Sequence, residues 1–252
     1  MMTGTNTPRA ILFASGKGGS GKSTLCAGVA AALAGLGKTV IALDADFGMR
    51  NLDIYMGLCE YALFDLSDFT EGRRELEDIL TVHPEIPGLS LAAAPARPLA
   101  ITPAEMKAIA SALLERCDFL LVDAPAGVGS SLEVAAAGCE EAILVATPDL
   151  AAVNDAGVAA ARLRAMGVRD ARLAANRVQP KMISHGFGVN LDRMIDDVAV
   201  PMIGYVREDA AVARFGQNIV SMMQDKKPSM AARDMRDIAK RLLGEHVRLS
   251  LR

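Results

Sequence analysis

The chain has 252 residues, 51% of them hydrophobic and 4% aromatic, with no tryptophan and a net charge of −3. That length suits one large α/β domain with a substantial core. The slightly acidic balance excludes a chain-wide electrostatic hold on DNA or anionic lipid, and the shortage of rings leaves little to stack on nucleic-acid bases.

Met1 to Pro8 is short and polar, lacks the apolar core of a signal peptide, and is expected to be flexible. A first apolar strand, Ala10 to Ala14, leads into Gly16-Lys17-Gly18-Gly19-Ser20-Gly21-Lys22-Ser23-Thr24, and Leu25 to Leu33 then reads as a buried helix. Further strands are expected at Thr39 to Asp44, Leu89 to Ala93, Phe119 to Asp123, Ala142 to Ala146, Arg172 to Asn176 and Met202 to Val206. Thr102-Pro103-Ala104-Glu105 opens a helix to about Arg116, with a threonine cap, a first-turn proline and a capping-box glutamate. Strands separated by helices predict a P-loop-type α/β fold: a mostly parallel, twisted sheet of about seven to eight strands, helices on both faces, one domain over 1–252. No run approaches the ~18–20 apolar residues of a spanning helix.

The glycine stretch fits G-x-x-x-x-G-K-[ST] between a strand and a helix, the context in which that pattern binds phosphate. Glycines at 16, 18, 19 and 21 let the backbone wrap phosphate oxygens, and the following helix adds its positive end. Lys22 would reach the β- and γ-phosphates of a triphosphate, Ser23 would ligate Mg2+, and Thr24 would cap the helix or touch the α-phosphate. Ligands of such sheets sit at the carboxyl ends of strands, and three acids fall there: Asp44, Asp46 and Asp123. Two carboxylates facing a nucleotide can hold Mg2+ and orient an attacking water, although an acidic pair at a strand end can also cap the next helix. Asp123, followed by Ala124-Pro125-Ala126-Gly127, has the layout of a Walker B acid and a mobile glycine loop.

With Lys17 in place, the loop resembles the deviant Walker A motif of the MinD/ParA ATPase superfamily. Asp44-Ala45-Asp46-Phe47-Gly48-Met49-Arg50-Asn51-Leu52-Asp53 is similar to switch I of its MinD branch, Asp-x-Asp-x-Gly-x-Arg-Asn-Leu-Asp. The resemblance implies an ATP-dependent, face-to-face homodimer in which Lys17 reaches the partner's phosphates. It makes Asp46 catalytic with Lys17 and Lys22, puts Asp44, Asp123 and Ser23 around Mg2+, and assigns Asn51 and Gly127 to the switch and dimer surface. It also implies that Asn176, with Arg177, reads the adenine edge. Val206-Arg207-Glu208-Asp209 resembles the family's base-contacting loop, Val-Pro-Glu-Asp, with arginine in place of proline. The expected cofactors are ATP and Mg2+.

The implied role is division-site placement, with slow hydrolysis raised by a protein partner and a cytoplasmic location, at times at the inner face of the membrane. Relatives of the same fold segregate DNA, position flagella or pili, or carry metal clusters. Arg162, Arg164, Arg169 and Arg172 form only a modest basic patch, so DNA is not the expected partner. Cys26, Cys59, Cys117 and Cys139 make no C-x-x-C pair and read as reduced, mostly buried thiols. His83, His185 and His246 are scattered and read as surface or loop residues. In the last helix Met235, Ile238 and Leu242 share one face, as core packing requires, and residues 245–252 form a tail with two arginines and three apolar residues that offers weak membrane affinity.

Overall fold

The structure, a computed structural model, describes residues 7–249. The expected flexibility of 1–8 and the end of the tail, 250–252, therefore fall largely outside the described residues. In chain order the first half runs β1 (Arg9–Ala14), α1 (Lys22–Gly35), β2 (Val40–Asp44), α2 (Leu52–Met56), α3 (Leu66–Thr70), β3 (Leu80–Val82), β4 (Leu89–Ala92), α4 (Pro103–Leu114) and β5 (Phe119–Asp123). The second half runs α5 (Ser130–Ala136), β6 (Glu141–Ala146), α6 (Leu150–Ala165), β7 (Asp170–Val178), α7 (Pro180–Ser184), α8 (Leu191–Val198), β8 (Met202–Arg207), α9 (Ala210–Arg214), α10 (Ile219–Gln224) and α11 (Met230–Leu242).

Eight strands form one sheet in the order β3-β4-β2-β5-β1-β6-β7-β8. All seven strands read from the sequence are present and parallel; the eighth, β3, pairs antiparallel with β4 at the edge. Its three residues are too few and too exposed to give an apolar run, so the sequence pattern passed over it. Central strands are buried on both faces and alternate between two cores. Ile11 and Phe13 of β1, with Phe119 and Leu121 of β5, face α1 and α11, while Leu12, Leu120 and Val122 face the other layer with α4 and α6.

Local signals account for several boundaries. Thr102 caps α4 through Glu105 with both bonds of the capping box. Met235, Ile238 and Leu242 of α11 are buried as expected. Gly28 allows α1 to meet α11 closely, since a Cβ there would lie 2.2 Å from the Met235 sulfur. Cys26, Cys117 and Cys139 are buried and Cys59 is exposed.

His83 corrects the sequence reading: it lies in a loop, but it is 6% exposed. Its Nδ1 accepts the backbone N–H groups of Glu85 and Ile86, so the turn before β4 is built around the ring. No helix among the described residues is long and apolar enough to cross a membrane.

Candidate nucleotide-binding site

β1 lies at the centre of the sheet between β5 and β6, and its carboxyl end opens into the glycine loop. Gly19 and Gly21 take φ values of 81° and 86°, left-handed conformations that favour glycine. Gly21 is also the N-cap of α1, and no side chain caps that helix end. The first N–H groups of α1 therefore keep their donors for a ligand, and the helix dipole favours an anion. A Cβ on Gly18 or Gly19 would meet nothing within 4 Å, whereas one on Gly16 would lie 2.4 Å from the Asp155 backbone. The loop is thus pressed against α6 at its start and open above its middle. Ser20 Oγ is the single buried side-chain polar atom among the described residues with no hydrogen-bond partner. Uncapped donors, open space and an orphan hydroxyl fit a polyphosphate.

Register sets the acids beside the loop. Asp123 of β5 stands opposite Phe13 of β1 and Asp44 of β2. Lys22 Nζ lies 2.6 Å from Asp123 and 3.3 Å from the Ser23 hydroxyl, with Lys22 and Asp123 only 7% and 2% exposed. Asp44 accepts from the backbone of Asp46 (3.0 Å), Asn51 (3.1 Å) and Leu52 (3.0 Å). It therefore holds the 46–52 segment against the strand end and accepts from the first turn of α2, as the capping reading expects. Burial, and next the charge of Asp123, pushes the Asp44 carboxyl up to about 7. Burial also raises Asp123 against the pull of Lys22, and raises half-buried Asp46. Three carboxylates near one lysine leave an excess of negative charge that a divalent cation would balance, so the charge of the site, rather than a preformed set of three acidic ligands among the described residues, fits Mg2+.

The rest of the expected switch surrounds these groups. Arg50 takes φ 41° and is held by Asp53 (2.8 Å) and the Ala62 carbonyl (2.8 Å), which folds the Arg50–Asp53 stretch into one piece. Asn51 is half-buried at the N-cap of α2. Gly127 takes φ 97° and donates its N–H to the Ser15 carbonyl, joining the loop after β5 to the glycine loop. Lys17 lies outside the buried pair. Its Nζ is 3.1 Å from Asp149, with side chains 39% and 50% exposed. Asp149 also caps α6 through the Ala152 N–H. Sequence reading missed this partner, although Thr147-Pro148-Asp149 before an apolar helix is an N-cap signal.

The expected base-contacting residues meet at the far side of the loop. β7 extends to Val178, so Asn176 and Arg177 lie in its final, irregular residues rather than beyond its end, and Arg177 takes φ 54°. The Asn176 amide donates to the Ser20 carbonyl at 2.7 Å, tying β7 to the loop. Asn176, Arg177, Arg207, Glu208, Gly21 and Thr24 line a cavity of about 200 Å³. The Val206 side chain is 1% exposed in the core and does not line that cavity, which leaves only its backbone on the side of the loop. Larger surface hollows, of about 670 Å³ by the end of α1 and about 610 Å³ between α6 and α8, contain none of the expected site residues.

The basic patch is weaker than its arginine count suggests, because Arg162 pairs with Glu133 and Arg172 with Asp170.

Known proteins give the same picture. The family model of the CobQ/CobB/MinD/ParA nucleotide binding domain matches residues 11–220. The septum site-determining protein MinD of Synechocystis sp. is 33% identical over 95% of this chain and 91% of its own length. Among solved structures, the MinC:MinD cell division protein complex of Aquifex aeolicus superposes with a TM-score of 0.89 at 30% identity, covering 96% of this chain and 98% of that one. MinD of Pyrococcus horikoshii complexed with Mg-ADP gives 0.82 at 25% identity, covering 93% and 96%. A glycine loop with a second lysine, acids on adjoining strand tips and relatives matched along nearly their whole length lead to one assignment: the chain belongs to the MinD/ParA family of ATPases, on its MinD branch.

Proposed function

We propose that the chain is a MinD-type ATPase working as a dimerisation switch in division-site placement. ATP binding closes two copies face to face, and hydrolysis to ADP and phosphate reopens them. The observation that carries this reading is Lys17, a second loop lysine held by an exposed ion pair to Asp149. Pairs so exposed are worth about 0–1 kcal/mol. A triphosphate presented by a second copy outcompetes that contact.

Within one copy, Lys22 exchanges Asp123 for the β- and γ-phosphates, and the loop N–H groups with the start of α1 hold the phosphate oxygens. Ser23, Asp44 and Asp123 are the residues that would hold Mg2+, which when bound neutralises charge on the phosphates. Asp46 orients the attacking water. Asn176, Arg177 and the 206–209 loop take the base, Val206 through its backbone. Asn51 and Gly127 belong to the moving surface.

Hydrolysis is slow without a partner. The Aquifex aeolicus structure is of a MinC:MinD complex, which supports a protein partner for this chain. The protein works as a single cytoplasmic domain, visiting the inner face of the membrane through its tail. Internal pairing of Arg162 and Arg172 speaks against the DNA-segregating alternative.

Gel filtration with light scattering tests the switch. The wild type dimerises with Mg-ATP and not with Mg-ADP, while Lys17→Ala stays monomeric yet still binds ATP. A variant that dimerises normally sinks the assignment of Lys17.

A further inference from the structure

The cavity beside the glycine loop is backed by an ion pair that phosphate chemistry does not require. Arg207 ends β8, and its guanidinium donates to Asp234 of α11 through Nε at 2.9 Å and Nη2 at 2.7 Å. The Arg207 backbone N–H donates to the same carboxylate at 2.9 Å. Asp234 is 5% exposed, a charged residue on the face that otherwise carries Met235, Ile238 and Leu242 into the core. Burying a carboxylate among apolar neighbours is strongly unfavourable unless it is fully paired. Such a residue is costly as mere filling.

The loop pattern supplies a reason. Where the similar family loop reads Val-Pro-Glu-Asp, this chain reads Val206-Arg207-Glu208-Asp209. Proline fixes φ near −65° and carries no backbone N–H. Arginine frees the backbone and adds a donor. Asp234 meets both features of this arginine, accepting its backbone N–H and clamping its side chain.

The neighbouring residues are tied to the same frame. Glu208 N–H donates to the Val178 carbonyl, and Asp209 accepts from Ala211 at 2.9 Å and from Ala231 of α11 at 3.1 Å. Met235, next to Asp234, packs on Gly28 of α1 and lines the cavity. Helix α11 thus sets where Glu208 stands relative to Asn176 and Thr24.

We propose that Asp234 is a positioning residue for the nucleobase: through Arg207 it holds residues 207–209 against the base end of a bound nucleoside triphosphate, with an ion pair supplying the stiffness that proline supplies in the similar loop. The inference rests on the ATP-binding reading above.

Calorimetric titration of the full chain with Mg-ATP and with inorganic tripolyphosphate tests it. Asp234→Asn keeps the shape and loses the charge. It weakens ATP binding about tenfold and leaves tripolyphosphate binding unchanged, because the pair does not touch the glycine loop. Adding Arg207→Pro to that variant restores ATP affinity. Arg207→Lys, which keeps the charge but loses the two-pronged contact, weakens ATP binding in the same sense, about threefold, with an unchanged circular dichroism spectrum. Unaltered ATP affinity in both single variants overturns the proposal, as does an equal loss for ATP and tripolyphosphate. A wild type that binds no ATP overturns the nucleotide reading and this proposal together, whereas a wild type that binds ATP beside unaffected variants overturns the proposal alone.

Discussion

Lys17 and Lys22 lie five residues apart in one loop, yet their surroundings give them different work. Lys22 is buried against Asp123, so its charge belongs to the site whether or not a ligand is present. Lys17 is exposed and paired with a helix-capping aspartate, so its charge can be transferred elsewhere at little cost. Asp149→Asn keeps the cap on α6 and removes the competing charge. The variant is expected to dimerise at about threefold lower ATP concentration, read by light scattering across an ATP titration. An unchanged midpoint would mean that Asp149 places no restraint on the lysine.

At the level of elements, the contact of α1 with α11 governs the site from behind. The glycine loop enters α1, and α1 is fixed against α11 by the close approach at Gly28. Gly28→Ala gains about 1 kcal/mol of helix propensity but overpacks against Met235, a cost of about 1–3 kcal/mol. A net loss of about 1 kcal/mol in urea unfolding is expected, and a Gly28→Ala penalty that vanishes when the change is made in a Met235→Ala background would identify the clash as its cause.

The turn before β4 gives a pH dependence. Burial, the leading cause, lowers the His83 pKa, and its Nδ1 must stay unprotonated to accept from Glu85 and Ile86. The unfolded chain takes a proton near the ordinary value of about 6.5, and the folded chain does so only at lower pH. This contribution is therefore complete above about pH 7 and is lost as pH falls below about 6.5. The carboxylates of the site act in the opposite sense, since Asp44, Asp46 and Asp123 are raised. The difference between wild type and His83→Gln isolates the ring. The wild type should lose more of its melting temperature than the variant between pH 7.5 and 5.5, and parallel curves would remove His83 from the account.

For the whole molecule, the question is how a nucleotide state reaches a surface. The sheet order brings the tips of β1, β2 and β5 together, so one ligand can touch the loop, the 44–53 segment and the loop after β5 at once. At the opposite end of the chain, Arg241 of α11 donates to the carbonyls of Ile203, Val247 and Arg248, fastening the start of the tail beside β8. One short tail with few apolar side chains would bind lipid weakly, and the proposed dimer would bring two such tails together. Sedimentation with anionic liposomes is expected to require ATP and to be lost when residues 245–252 are deleted. Equal pelleting of both forms would assign membrane contact to another surface.

Much of this protein is legible from its sequence because the signals are local. Strand periodicity, the Thr102 capping box, the spacing of Gly16 to Thr24 and the acids at strand ends each depend on neighbours in the chain. β3 escaped because an exposed three-residue edge strand carries no apolar signature, and His83 escaped because burial of a lone polar ring depends on what packs over it. The pairings of Lys17 with Asp149, of Asn176 with the Ser20 carbonyl and of Arg207 with Asp234 join residues 132, 156 and 27 positions apart. No spacing rule reaches across such distances, since they are set by sheet order and helix packing. Neighbours along the chain suffice to specify a phosphate-type loop with a second lysine on a parallel α/β sheet. Packing settles which charges are buried and which stay exposed, and it sets a carboxylate of the last helix against Arg207 at the end of β8, because desolvation and ion pairing are properties of the packed chain.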